Sequence, residues 1–119
     1  MTPAADREAP TLRPGELVAI EHIRTGLSVD EILYRYAVGD APGALRVAGP
    51  LLDGRCVLIV IVTDVVLKAL RLGPREQLVL RLVNGQRSFK EVTDGASLPL
   101  HDAVHALCEL LEGRVIAVL

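Results

Sequence analysis

The chain has 119 residues, half of them hydrophobic, and a formal net charge of −2. That length allows one compact domain or two small modules sharing a core, because a module of about 50–60 residues buries too little of its surface to stand alone. Seven basic and seven acidic residues lie between Leu12 and Arg71, and five and six between Leu72 and Leu119, so neither half carries the basic footprint of a nucleic-acid binder.

The aromatic residues are Tyr34, Tyr36 and Phe89, so the core is expected from Leu, Val, Ile and Ala, with the apolar surplus at an interface. Cys56 and Cys108 do not make a disulfide framework, and a reducing cytoplasm is the expected compartment. Asp6, Arg7 and Glu8 do not suit a signal peptide. The longest apolar run, Cys56 to Val62, is too short to span a bilayer, so no membrane partner is expected.

Three phrases recur in one order. Leu12-Arg13-Pro14-Gly15-Glu16 returns as Leu72-Gly73-Pro74-Arg75-Glu76, and Ser28-Val29-Asp30-Glu31-Ile32 as Ser88-Phe89-Lys90-Glu91-Val92, each 60 residues on. Leu51-Leu52-Asp53-Gly54-Arg55-Cys56-Val57 returns as Leu110-Leu111-Glu112-Gly113-Arg114-Val115-Ile116, 59 residues on. Such self-similarity divides the chain into a flexible tail over 1–13, a first module over 14–71 and a second over 72–119.

In chain order, each module opens with a helix at a proline, where the missing N–H costs nothing. The first runs from Pro14 to about Arg24 with Leu17, Ile20 and Ile23 inward; the second runs from Pro74 to Val83 with Leu78, Val79 and Leu82 inward. Glycine turns follow at Thr25-Gly26-Leu27 and Asn84-Gly85-Gln86-Arg87. Ser28 with Glu31, and Ser88 with Glu91, then have the spacing of a capping box for a second helix. That helix ends near Ala37 in the first module and near Asp94-Gly95 in the second. A third helix starts after Asp40 or Ser97. It carries Leu45, Ala48, Leu51 and Leu52, or Leu100, Val104, Leu107 and Leu111, at helical spacing, and stops at Gly54 or Gly113.

Cys56 to Val62 reads as a strand. Thr63-Asp64 breaks it, and Val65 to Leu72 is either a second strand or a short helix capped by Asp64. The β-branched residues favour the strand. Val115 to Leu119 reads as one strand with no return. The expected fold is therefore α+β and mostly helical: two tandem modules of three short helices plus a β-wing each, packed into one unit.

That plan, with its pattern of Leu-x-Pro-x-Glu, an apolar helix, Gly-x-x-Ser-x-x-Glu and a closing Ala-Leu-x-x-Leu-Leu phrase, resembles a winged helix. The segment Leu72 to Ile116 looks like the winged-helix module of PATAN-type bacterial signalling proteins. It is also similar to the helical half of PqqD-like recognition domains, which bind the leader of a precursor peptide. The resemblance implies a fold more than a function.

Three constellations bear on function. The third helix of the second module presents His101, Asp102, His105, Glu109 and Glu112; phosphates would be repelled there, so it is expected to face a protein partner. His101, His105 and Cys108 follow one another at i, i+4 and i+7 and are weak candidates for a metal, although Cys108 reads more simply as core. His22 could approach that cluster in space. The strands are apolar on both faces. Leu58, Val60, Val62, Val115, Ala117 and Leu119 are expected either between the modules or at an interface with a second chain.

No triad order, phosphate loop or carboxylate pair stands in a catalytic context, so neither an enzyme nor a cofactor is expected. The leading expectation is a non-catalytic protein–protein interaction module, an adaptor or regulatory subunit of a bacterial cytoplasmic system, binding another protein or peptide and self-associating as a homodimer. The alternatives are a DNA-binding winged-helix regulator and a peptide-leader recognition domain.

Overall fold

A computed structural model describes residues 28–119. The expectations for the tail over 1–13, the helix from Pro14 to Arg24 and His22 lie outside the described residues. The described chain is mostly helical with one two-stranded antiparallel sheet. None of its helices is long and apolar enough to cross a membrane.

Residues 28–37 are helical and form α1. Gly39 takes φ +82°, which an L side chain resists, and lets the chain leave the helix directly into the next one. Asp40 caps α2 (Ala41–Asp53): its Oδ1 accepts from the Gly43 amide at 3.0 Å and its Oδ2 from Arg35 Nη1 at 3.0 Å. β1 (Leu58–Val60) follows.

After β1 comes α3 (Asp64–Ala69), which corrects the strand reading of Val65 to Leu72. Its cap is Thr63, whose hydroxyl accepts from the Val66 amide at 3.3 Å; Asp64 sits in the first turn. The reason is partly tertiary. One side of β1 is taken by the C-terminal strand. On its other side the Leu58 amide donates to the Arg87 carbonyl at 3.1 Å, and the Leu58 carbonyl accepts from Gly85 at 2.9 Å. A returning strand would find little of either edge open.

The second repeat begins with α4 (Pro74–Leu80), shorter than the expected span to Val83. α5 (Phe89–Gly95) opens on the expected capping box: the Glu91 amide donates to Ser88 Oγ at 3.1 Å, and the Ser88 amide to Glu91 Oε1 at 2.9 Å. The equivalent box is not formed in the first repeat. Residue 28 is already helical, and Glu31 takes the Arg35 guanidinium at 2.9 Å instead. α6 (Leu100–Glu112) begins later than expected, with Pro99 at its N-cap, and leads into β2 (Ile116–Val118).

α2 and α6 both have 13 residues, with bounds 59 apart. Their buried positions match in pairs: Ala44 with Ala103, Ala48 with Leu107, Leu51 with Leu110. So do Val29 with Phe89 and Ile32 with Val92 in α1 and α5, at the spacing of 60.

The strands pair antiparallel: Leu58 with Val118, Ile59 with Ala117 and Val60 with Ile116. In the turn between α6 and β2, Arg114 takes φ +58°, a left-handed conformation that a side chain makes unfavourable.

Each repeat thus contributes one strand, not a wing hairpin, and the two strands pair with each other. The buried apolar residues form one cluster drawn from both repeats. α6 lies at its centre and packs against α4, α2, α5 and β2. Phe89, Ile32, Leu58 and Leu107 are among its fully buried members.

Candidate interaction surfaces

The outer face of α6 is the first candidate, and the structure shows it partly covered. Arg75, in the first turn of α4, reaches across to it. Its Nη1 lies 3.5 Å from Asp102 Oδ1 and 3.3 Å from His105 Nδ1, and its Nη2 donates to Glu109 Oε1 at 3.2 Å. An arginine N–H facing His105 Nδ1 requires that nitrogen to be the acceptor, which leaves Nε2 as the protonated nitrogen, 3.9 Å from Glu109 Oε1.

Tyr36 of α1 completes the cover. Its ring stacks on His105, with centroids 4.3 Å apart and planes 8° from parallel. Its hydroxyl donates to the His101 carbonyl at 2.8 Å. Burial, with the charges of Cys108 and Asp102 adding, pushes that hydroxyl up to about 12. Glu76 Oε2, buried without a hydrogen bond, sits 3.6 Å from Arg75 Nη2.

Of the five residues expected to face a partner, Asp102, His105 and Glu109 are therefore engaged within the chain. His101 and Glu112 are exposed, and His101 Nε2 lies 3.6 Å from Asp102 Oδ1. The metal candidates are not brought together. Cys108 is fully buried in the core, where burial raises its thiol to about 12, while His101 looks out to solvent. Among the described residues no group of three His, Cys, Asp or Glu is placed to hold a metal ion.

Sequence reasoning missed Arg75 and Tyr36. A signal existed for the first: a cation in the first turn of a helix opposes the helix dipole and implies carboxylates brought in from elsewhere.

The strands are the second candidate. Leu58 and Val115 are buried, and Val60, Val62 and Ala117 are half-buried, so five of the six expected interface residues lie largely inside the fold. Leu119 remains 67% exposed. The Ile61 amide donates to the Val115 carbonyl at 3.0 Å, and the Leu119 amide to the Val57 carbonyl at 2.8 Å. In an antiparallel pair this turns residues 57, 59 and 61 toward 115, 117 and 119, and turns the backbone groups of Ile116 and Val118 away from β1. Among the described residues no backbone group pairs with that outer edge.

The third candidate was not foreseen. α3 has no buried residue, and Val65, Val66 and Leu70 are all exposed, Val65 to 79%. Between α3 and α4 runs an open groove of about 400 Å³, lined by Leu67, Leu70, Leu72, Leu80, Gln77 and Arg81. Gln77 Nε2 donates to the Leu72 carbonyl at 2.9 Å and ties the intervening linker to α4.

The fold and its surfaces define a mostly helical, internally repeated α+β chain. No protein-family model matches it, and neither a curated protein nor a solved structure matches it.

Proposed function

We propose that the chain is a non-catalytic protein–protein interaction module, an adaptor or regulatory subunit of a bacterial cytoplasmic system. On this reading its repeats are winged-helix-like modules packed as one unit. The wing of each is a single strand, shared across the repeat boundary.

The observation that carries the reading is where the exposed apolar residues fall. Among the described residues, four of the eight exposed large hydrophobic side chains, Ile61, Val65, Val66 and Leu70, fall within ten residues of one another, from the end of β1 to the cap of α3. Concentrated apolar surface on a small chain marks a place where another chain sits. The outer edge of β2, flanked by exposed Leu119, suits self-association by strand pairing. DNA reading by α6 is disfavoured on two counts: its outer face is acidic, and Arg75 and Tyr36 occupy much of it.

Light scattering of the full chain across a protein and salt dilution series, with a random DNA duplex in one arm, tests the reading. The expected result is a salt-insensitive dimer that ignores DNA. A monomer that moves onto the duplex at low salt and leaves it at high salt overturns it.

A further inference from the structure

We infer that the groove between α3 and α4 binds an amphipathic, acidic peptide segment of a partner protein, with two apolar side chains seated on Leu67, Leu70, Leu72 and Leu80. This rests on the reading of the chain as an interaction module.

The size of the site supports it. The groove is open and offers about 400 Å³. It takes a pair of leucine-sized anchors rather than a whole domain face. A helix laid in such a groove presents those anchors at i and i+3 or i+4.

Charge decides the class of peptide. Arg81 lines the groove, and Lys68 and Arg71 flank Leu67, Leu70 and Leu72 in the chain. Among the described residues, none of these three cations meets a carboxylate within ion-pair distance. Asp64 stands at the other end of α3, and Glu76 is drawn to Arg75. In a chain of net charge −2, Arg81 thus brings an uncommitted positive charge to the groove, which complements a carboxylate beside an apolar anchor.

The mechanics of α3 point the same way. Six residues are too few for a helix to be stable by itself in water, and most helical stability comes from packing an apolar face. α3 packs none of its residues fully. A peptide in the groove would cover Leu67 and Leu70 and supply that packing.

The test is selection of a displayed library of random 16-residue peptides on the full chain, followed by binding of the enriched peptides to three variants. The expected peptides carry two large apolar residues three or four apart, with Glu or Asp beside them. Leu70→Asp and Arg81→Glu each weaken their binding by about tenfold or more, and Arg46→Glu on α2 leaves it unchanged. Enriched peptides that are basic, or whose binding ignores both groove substitutions, overturn the groove while leaving an interaction module elsewhere on the surface. A dimer that Leu70→Asp dissolves puts a second copy in the groove and overturns the peptide partner. No enrichment from a chain that stays monomeric overturns both readings.

Discussion

Arg75 and Cys108 show how single residues take their roles from neighbours far away in the chain. Arg75 satisfies parts of Asp102, His105 and Glu109, which its own helix does not contain. Cys108 is adjacent in sequence to the acidic face yet turned fully inward. Its thiol titrates at about 12 in the fold, against 9.0 ordinarily, because burial penalises the thiolate. A raised value favours the protonated, folded form: that contribution is intact below the unfolded value and is lost as pH rises toward about 12. Urea midpoints measured between about pH 8 and about pH 11 should therefore fall, and should fall less in Cys108→Ala than in the natural chain.

At the scale of elements, the same sequence phrase makes different contacts in the two repeats. Ser88 and Glu91 form a reciprocal box at the start of α5, whereas Glu31 pairs with Arg35 inside α1. Ser88→Ala should cost about 1 kcal/mol in chemical denaturation, and Ser28→Ala only a few tenths. Equal losses would mean that both boxes act in solution. α3 makes the complementary point. β-branched Val65 and Val66 suit a strand, but a Thr63 cap and the scarcity of open edge on β1 outweigh that preference.

For the whole molecule, one buried cluster joins residues of both repeats, and the strand ladder ties the end of the chain to its middle. Unfolding should accordingly be a single transition for both repeats. Phe89→Ala, which empties a fully buried site in the second repeat, should cost about 3–5 kcal/mol. Hydrogen exchange should report the loss equally at Leu51 in the first repeat and Leu107 in the second. Protection that survives at Leu51 alone would show two independently folding modules.

The sequence alone determined whatever depends on neighbours a few residues apart. The α5 capping box, the burial of Ala48 and Leu51 in α2 and of Val104, Leu107 and Cys108 in α6 follow from spacing along one helix, which periodicity reports directly, although Leu100 of the expected α6 stripe is exposed. Only the tertiary structure decided what depends on which elements meet. Strand pairing between the repeats, the edge contacts that leave Val65 to Ala69 helical, and the cover that Arg75 and Tyr36 place over α6 all require contacts between segments far apart in the chain. Local pattern records which face of a helix is apolar; the neighbour that face meets is set by the packing of the whole molecule.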